Sequence, residues 1–260
     1  MNMDFIKRTG IKAAFESGRL LKYYFGNISH TRKKGLVDLV TEADVASEEN
    51  IIGIIRKSFP EHSILAEESG LEQGDLNHQW IIDPLDGTVN FAHQVPIFSI
   101  SIAYAFKGTP VMGVVLNPVT GELFSAVAGE GAFLNDRPIQ VSDTRIVQES
   151  LLASGFPYDL LSIFDTITER MENCLKAAQG IRRLGSAAID ICAVACGRFD
   201  GFWEQNLHPW DTAAAMVIAS EAGALVTDFS NQPFSIDKKE ILATNGHIHR
   251  EMLSLLNLDY

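Results

Sequence analysis

The sequence predicts a layered αβαβα sandwich, with an α+β N-terminal half on a mainly antiparallel sheet and an α/β C-terminal half with a mixed sheet. Three observations predict it: helical segments open the chain, apolar strands joined by short turns follow, and strand-like and helical segments alternate after about Asp143. The 260 residues are 46% hydrophobic and 21% charged, which excludes disorder as the main state. We expect two halves, residues 1–145 and 146–260, sharing a tight interface where small-ligand sites collect.

Two helices are predicted at the start of the chain. The first is predicted from a stripe at helical spacing, which consists of Ile11, Ala14, Phe15, Gly18, Leu21 and Phe25. The second covers residues 42–58 and is ended by Pro60. Its predicted apolar face consists of Val45, Ile52, Ile55 and Phe59.

Strands follow these helices. Residues 63–66 and 80–82 are predicted to form short buried strands. Residues 98–106, 111–116 and 122–127 are three further strands, separated by the turn sequences KGTP and NPVTGE. Because connections this short join only antiparallel neighbours, we expect a meander covered by helices.

The C-terminal half is predicted from alternation. Strand-like stretches are found at residues 150–156, 199–205, 224–229 and 241–244. Helical stretches are found between and after them, at residues 164–178, 186–197, 209–223 and 247–258. This alternation favours a layered α/β arrangement.

Charge and cysteine content restrict the function. The chain has 33 acidic and 21 basic residues, for a net charge of −12. Such a chain repels a nucleic-acid backbone, so we expect no nucleic-acid partner, and any phosphate must be bound through recruited cations. Three cysteines are too few for a disulfide framework, and neither a leader nor an apolar stretch long enough for a membrane span is evident, so we expect a cytoplasmic protein without a membrane partner.

The most informative stretch follows residues 80–82. That strand delivers Asp83 at its end, Pro84 cannot continue the ladder, and Gly87 permits a tight backbone path. Asp83 and Asp86 can therefore point to one place, where two anions repel each other unless a cation lies between them. An alternative is an Asp-Pro turn whose carboxylates only cap backbone amides.

Three other segments carry acids in similar contexts. Glu67 ends another apolar strand, Asp211 stands at the start of an Ala-rich helix, and Asp44 follows Thr41 in a helix-capping pattern. Each has a structural alternative: a solvated acidic turn, a helix start and a capping box, respectively. Their joint occurrence favours a shared acidic site.

These segments resemble the inositol monophosphatase family, which belongs with the fructose-1,6-bisphosphatases among the metal-dependent, lithium-sensitive sugar phosphatases. The resemblance extends from about residue 33 to residue 248, and the WIIDPLDGTVNFAH stretch is highly specific. The matching stretches are DLVTEAD at 38–44, AEES at 66–69, WIIDPLDGTVNFAH at 80–93, GSAA at 185–188 and HPWDTAAA at 208–215.

The resemblance implies two to three Mg²⁺ ions, with Mn²⁺ as an alternative. Glu67, Asp83 and the backbone carbonyl of Leu85 would bind the first ion. Asp83, Asp86 and Asp211 would bind the second, and Glu67 would help with a third. Carboxylate and carbonyl oxygens without His or Cys suit these hard cations better than zinc.

The resemblance also implies catalytic and substrate-binding positions. Thr88 and Asp44 would orient and deprotonate the attacking water. We expect a helix to begin after Gly87, where free N–H groups favour phosphate. The implied substrate-binding residues are Lys33, Asp86, Gly87, Thr88, Gly185, Ala187 and Glu204.

The expected function is Mg²⁺-dependent hydrolysis of a small polyol or sugar phosphomonoester, with myo-inositol 1-phosphate as the first choice. Fructose-1,6-bisphosphatase, NADP(H) or nucleotide 3′-phosphatase and histidinol phosphatase are alternatives on the same metal frame. A regulatory binding protein that retains the scaffold is an alternative of another class. The resemblance further implies a homodimer.

Two pairs of residues are interpreted as structural. Cys192 and Cys196 share a helix face without a partner histidine in sequence reach, which favours buried thiols over a metal or redox pair. His247 and His249 lie too far apart around the last helix to bind one ion, and we expect both at the surface.

Overall fold

A computed structural model describes residues 2–27, 31–33, 39–157 and 160–258; the side chains of 31–33, 39–40 and 160 lie outside that description. Seven helices occur in this part of the chain. They are α1 Met3–Tyr24, α2 Glu42–Ser58, α3 Thr88–Ala92, α4 Phe164–Ala177, α5 Ala187–Ala195, α6 Pro209–Glu221 and α7 His249–Leu256. None of the described helices is long and apolar enough to cross a membrane.

The N-terminal half contains a hairpin-like pair of short strands, β1 Thr31–Lys33 and β2 Leu39–Thr41, and an eight-stranded sheet. The order in the large sheet is β10-β9-β8-β7-β6-β5-β3-β4, and only the β3–β5 pair is parallel. The predicted antiparallel meander is confirmed by β6, β7 and β8. The strands are β3 His62–Ala66, β4 Gly70–Glu72, β5 Asp75–Asp86, β6 Ser99–Phe106, β7 Thr109–Asn117, β8 Glu122–Val127, β9 Ala132–Leu134 and β10 Arg137–Pro138.

The C-terminal half contains a five-stranded mixed sheet with the order β12-β11-β13-β15-β14. Strand β11 is parallel to both of its neighbours, whereas β15 is antiparallel to both of its own. The predicted mixed sheet is therefore confirmed. The strands are β11 Leu151–Ser154, β12 Gly180–Arg182, β13 Gly201–Gln205, β14 Leu225–Thr227 and β15 Glu240–Thr244.

The alternation of side chains along β5 generates the layers. Trp80 and Ile82 face a core shared with α1 and α2, whereas Ile81 faces a core shared with α5 and α6. That second core also includes Phe202 and Ile241 of the five-stranded sheet. A third core fills the space between that sheet and the last layer, α4 and α7. The order helix, sheet, helix, sheet, helix confirms the predicted sandwich.

The division at residues 145 and 146 stays a prediction. Helix α6 belongs to the second half by sequence but packs on β6 and β7 of the first sheet. The buried alanines Ala213, Ala214 and Ala215 allow this close approach. The core between the two sheets is therefore built by both halves.

Two predicted helix faces were partly wrong. Phe15 is 45% exposed and Val45 is 44% exposed. In α1 the buried face is formed largely by small residues such as Gly10, Ala14 and Gly18. Phe15 was assigned to this face because its side chain is large and apolar, but it lies outside the face. In α2 the buried face includes polar residues, as described below, which an apolar pattern cannot report.

His249 corrects another prediction, because it is buried rather than at the surface. Its Nε2 lies 3.0 Å from the Thr227 hydroxyl and its Nδ1 lies 2.9 Å from the Thr244 hydroxyl. Burial lowers the pKa of His249 to about 4. His247 is exposed, as expected. Cys192 is buried and Cys196 is partly buried, and both are free thiols.

Candidate active site

The acidic residues predicted from the sequence gather where β3 and β5 end and where α2, α3, α5 and α6 begin. Strand β5 carries a register shift between Asp83, which pairs with Ser101, and Asp86, which pairs with Ser99. This irregularity changes the direction of the strand between the two carboxylates. Asp83 is buried, and its Oδ1 accepts the Leu85 N–H at 3.0 Å.

Gly87 allows the chain to turn from β5 into α3. Its φ is 100°, in the left-handed region that favours glycine. A Cβ there would also lie 3.1 Å from the backbone oxygens of both Gly185 and Ile97. Helix α3 then begins at Thr88, which confirms the helix predicted after Gly87.

The pKa of Asp83 is affected by burial and by the charges of three other acidic residues. Burial raises the pKa of Asp83 well above its usual range. The negative charges that raise it further are those of Glu67, Asp86 and Asp211. These acids come from segments up to 144 positions apart, and such crowding is unfavourable unless protons or cations neutralise it.

Asp86 is held by the N-terminal turn of α5. Its Oδ2 accepts the Ser186 hydroxyl and, at 3.0 Å, the Ala188 N–H. The Ser99 hydroxyl donates to the same oxygen at 3.2 Å. Burial raises the pKa of Asp86 to about 6 despite these bonds, and the charge of Asp211 adds to the rise. The GSAA segment is thus joined directly to the acidic group.

Thr88 and Asp44 are joined by a hydrogen bond. The Thr88 hydroxyl lies 3.0 Å from Asp44 Oδ1 and 3.0 Å from the Leu85 carbonyl oxygen, so both can accept from it. Asp44 Oδ2 accepts the Thr41 N–H at 2.8 Å and the Thr41 hydroxyl at 2.5 Å. The capping box is therefore present as well. Asp44 is fully buried, which raises the pKa of its carboxyl.

Glu67 and Asp211 are positioned by backbone contacts. The Glu67 N–H donates to the Ile82 carbonyl at 3.2 Å, which ties the end of β3 to β5. Asp211 Oδ2 accepts the His208 N–H at 2.7 Å at the start of α6. The Ser101 hydroxyl donates to the Trp210 carbonyl at 3.2 Å, which fixes that helix start against β6.

Two polar residues of α2 that sequence reasoning missed support the site. The carboxylate of Glu48 accepts the N–H of Glu68 at 2.9 Å and that of Ser69 at 2.8 Å. The Ser47 hydroxyl donates to the Pro84 carbonyl at 2.9 Å. Positions 44, 47 and 48 share one helix face, and this spacing was the signal that could have revealed them.

Ala187 and Glu204, two of the predicted substrate-binding residues, lie near the acids. Ala187 is buried at the start of α5, and the preceding loop is fastened by Asn90, whose amide donates to Leu184 O and Ile97 O, both at 2.7 Å. Glu204 lies on β13 and is 8% exposed. The side chain of Lys33, another predicted contact, lies outside the described residues.

Asp190 is a further buried acid that sequence reasoning missed. It lies on α5, is 1% exposed, and its Oδ1 has no hydrogen-bond partner in the described part of the chain. Burial raises the pKa of Asp190 well above its usual range, and burial likewise raises that of Glu204, with contributions from Asp211 and Asp190. No sequence motif singled out Asp190, because an aspartate inside an apolar helix is not by itself informative.

The donor set fits a hard divalent cation in its chemistry. It consists of carboxylates and the Leu85 carbonyl, with no His or Cys among the predicted ligands. Across the described residues, no three acidic, histidine or cysteine side chains already form a complete metal-binding group.

Comparison with known proteins identifies the class. The family model described as the inositol monophosphatase family matches residues 2–258. The chain therefore belongs to the inositol monophosphatase family, and it is a phosphomonoesterase. The predicted family, fold and enzyme class are confirmed.

Individual relatives carry two kinds of name. Inositol-1-monophosphatase of Synechocystis sp. is 46% identical over 247 residues, which cover 94% of this chain and 86% of that protein. Nus factor SuhB of Haemophilus influenzae is 42% identical over 247 residues, which cover 94% of this chain and 92% of that protein.

Solved structures agree with this assignment. Inositol monophosphatase from Anabaena (Nostoc) sp. has a TM-score of 0.90 and 42% identity, with 98% of this chain and 96% of that chain covered. Extragenic suppressor protein suhB from Bartonella henselae has a TM-score of 0.95 and 39% identity, with 98% and 99% covered.

Proposed function

We propose that the protein hydrolyses a small polyol or sugar phosphomonoester in a Mg²⁺-dependent reaction, with myo-inositol 1-phosphate as the first substrate to test. The observation that carries the proposal is the grouping of Glu67, Asp86 and Asp211 around the buried Asp83. Four acids in one place need positive charge, and a phosphate ester needs the same charge to approach an acidic chain.

The residues that would hold two to three Mg²⁺ ions, or Mn²⁺, are Glu67, Asp83, Asp86 and Asp211 with the Leu85 carbonyl. When bound, the cations would offset the carboxylate charge, polarise the phosphoryl group and acidify the attacking water. Burial of Asp83 and partial burial of Asp86 and Glu67 suit this role, because charge interactions strengthen away from bulk water.

Thr88 and Asp44 would handle the proton. The attacking water donates to Thr88 Oγ1, and the hydroxyl proton of Thr88 passes along the 3.0 Å contact to Asp44 Oδ1. The raised pKa of Asp44 makes it a better proton acceptor than an exposed aspartate. The N–H groups of Gly87 and Thr88 would bind the phosphate at the start of α3.

The rest of the substrate would lie against the second half of the chain. Glu204 would accept hydrogen bonds from polyol hydroxyls, while Gly185 and Ala187 would line the space beside the ring. Lys33 would approach the phosphate. The ester oxygen leaves as an alkoxide and takes a proton from solvent, so the P–O bond to water forms as the P–O bond to the polyol breaks.

A panel of phosphate esters tests the substrate. Phosphate release is measured with Mg²⁺ and with EDTA for myo-inositol 1-phosphate, fructose 1,6-bisphosphate, a nucleotide 3′-phosphate and histidinol phosphate. We expect the highest kcat/KM for the inositol ester and loss of all activity in EDTA. A higher kcat/KM for another ester would make that ester the substrate, with the same metal site.

The variant Asp83→Asn tests the metal assignment. It should abolish Mg²⁺-dependent phosphate release, because the central carboxylate ligand is lost. The fold should survive, because asparagine has nearly the same side-chain volume as aspartate. Asp75→Asn, at the start of the same strand, is the matched control and should remain active. Substantial turnover by Asp83→Asn would refute the assignment.

A second candidate function is the one named in the Haemophilus relative, a Nus factor, because that relative is 42% identical and matches almost the whole chain. Complementation of a Haemophilus strain lacking SuhB tests it. Rescue by both the wild type and Asp83→Asn would support a role that does not need hydrolysis. Failure of both would exclude this function in that host.

We further propose that the protein is a cytoplasmic homodimer. The family resemblance supports the dimer, and the low cysteine content supports a reducing compartment. Light scattering coupled to size-exclusion chromatography tests the mass in solution. A monomer at micromolar concentration would contradict the proposal.

A further inference from the structure

Gly155 lies beside Glu204 at the carboxyl edge of the five-stranded sheet. It directly follows β11, which runs parallel to β13, and Ser154 pairs with Trp203. The Ser154 hydroxyl donates to the Trp203 carbonyl at 3.0 Å, which fixes this register. The residues that follow this pair, Gly155 and Glu204, are therefore neighbours.

The Glu204 carboxylate occupies the space that a side chain at position 155 would need. A Cβ on Gly155 would lie 2.0 Å from Oε2, 2.2 Å from Cδ and 2.3 Å from Oε1 of Glu204. All three distances are far below van der Waals contact, so the carboxylate lies directly over the Gly155 Cα. Any larger residue at this position must displace it.

The backbone does not require glycine at this position. The φ of Gly155 lies outside the left-handed region, so an alanine is compatible with the local conformation. Gly87, in contrast, has a φ of 100°. The requirement for a glycine at 155 therefore comes from Glu204 rather than from a turn.

The Glu204 carboxylate lies in unusual surroundings. Glu204 is only 8% exposed. Its charged neighbours are the acidic Asp211, Asp190 and Asp86 and the basic Arg183. A largely buried carboxylate among other acids is suited to accept hydrogen bonds from the hydroxyls of a ligand.

We propose that Gly155 is a positioning residue for substrate selection, whose missing side chain lets the Glu204 carboxylate lie where a polyol hydroxyl can reach it. The inference rests on the proposed function in one respect, the assignment of Glu204 to the substrate. The contact between Gly155 and Glu204 is independent of that assignment. The ligand class selected in this way is a phosphate ester with free hydroxyls.

The kinetic test uses Gly155→Ala with two esters, myo-inositol 1-phosphate and p-nitrophenyl phosphate, which has no free hydroxyl. We expect kcat/KM for the inositol ester, divided by kcat/KM for the aryl ester, to fall at least about tenfold. The fall should come mainly from a higher KM for the inositol ester, because its hydrogen bonds to a charged group are lost. An equal loss with both esters, or an unchanged ratio, would overturn the proposal.

Gly53→Ala is the matched control. It adds the same methyl group on α2, where nothing lies within 4 Å of the new Cβ. The ratio for this variant should equal that of the wild type. A fall of similar size in the control would show that the ratio does not report the Glu204 contact, and the proposal would then be abandoned.

A stability cycle tests the contact without any substrate. Gly155→Ala should lower the melting temperature of the wild type, whereas it should have little further effect in a Glu204→Ala background, where the clash is absent. If Gly155→Ala alone does not fold, the double variant should fold. Equal losses in both backgrounds, or a double variant that also fails to fold, would overturn the proposal.

The proposed function and the contact between Gly155 and Glu204 can fail independently of each other. A wild type that hydrolyses neither ester with Mg²⁺ would defeat the proposed function, and the substrate-selection role would fall with it. The stability cycle would then still decide whether Gly155 positions Glu204.

Discussion

Asp44 has a different partner for each oxygen of its carboxylate. Oδ2 accepts two hydrogen bonds from Thr41 and closes the capping box of α2, whereas Oδ1 receives the Thr88 hydroxyl. The structural and catalytic interpretations of the TEAD segment are therefore compatible. A substitution that keeps the cap and removes the base can separate them.

Asp44→Asn is that substitution. The amide oxygen of asparagine can keep the two bonds from Thr41, and its NH₂ group can donate to the Thr88 hydroxyl oxygen, so the melting temperature should change little. The kcat should fall by about 10²- to 10⁴-fold, the usual contribution of a general base, with a smaller change in KM. Steady-state kinetics with Mg²⁺ and a melting curve measure both. Retention of more than about a tenth of the wild-type kcat would remove Asp44 from the proton path.

His249 gives a second prediction at the scale of the residue. Its pKa of about 4 in the folded state lies below the usual 6.5, so the unfolded chain binds more protons between these values. Stability is therefore complete above about pH 6.5 and decreases as the pH falls toward 4, by up to about 3 kcal/mol. Denaturant unfolding at several pH values measures this slope.

The variant His249→Gln provides the comparison. Glutamine does not titrate, so the difference in unfolding free energy between the wild type and this variant should shrink as the pH falls from 7 to 4.5. A difference independent of pH would show that burial does not lower the pKa of His249 relative to the unfolded chain. The activity of both proteins serves as the check that the site is intact.

At the scale of elements, α2 supports the site through one polar face. Asp44, Ser47 and Glu48 are buried on it and contact α3, the DPLD loop and the AEES turn, respectively. Burying these groups in a helix is favourable only because each is hydrogen-bonded. The helix thus couples the start of α3 to the two segments that carry Glu67, Asp83 and Asp86.

Glu48→Ala tests this coupling. Removing the carboxylate leaves the N–H groups of Glu68 and Ser69 without their acceptor, so the turn that carries Glu67 should loosen. We expect a loss of about 2–5 kcal/mol in unfolding free energy and a several-fold rise in the Mg²⁺ concentration for half-maximal activity. Glu49→Ala, the exposed neighbour on the same helix, is the control. Equal Mg²⁺ requirements in the two variants would contradict the role of Glu48.

At the scale of the whole molecule, the acidic group sets how stability depends on pH and on cations. The pKa of Asp86 is raised from 3.8 to about 6, so its contribution to stability is complete below about pH 4 and is lost as the pH rises through 6. In metal-free protein this change amounts to about 3 kcal/mol. A cation that binds only the folded state should reverse it.

Thermal unfolding in EDTA and in Mg²⁺ tests this reversal. In EDTA at pH 7.5, Asp86→Asn should unfold at a higher temperature than the wild type, because a buried charge is removed. With millimolar Mg²⁺ the wild type should gain several degrees and Asp86→Asn much less. An equal Mg²⁺ shift in both proteins would show that the cation binds elsewhere.

Much of the fold followed from local pattern. The ends of α2, the β6–β7–β8 meander and the helix after Gly87 all depend on caps, turns and periodicity within a short stretch, and these agree with the structure. The faces of α1 and α2 were less well predicted, because Phe15 and Val45 are apolar but exposed. Which apolar residues are buried depends on what packs against the helix, and a single helix does not report this.

The sequence by itself determined the layered α/β class and the acidic segments, because these depend on residue types and on spacings within one element. Only the tertiary structure decided that Glu48 holds the AEES turn, that Asp190 and His249 are buried, and that the Glu204 carboxylate lies over Gly155. The contacts of Glu48, Glu204 and His249 join positions 20, 49 and 22 residues apart, and the burial of Asp190 depends on which surfaces pack together. Sheet register and close packing set such distances to within a few tenths of an ångström, whereas periodicity along the chain constrains only neighbours on the same element.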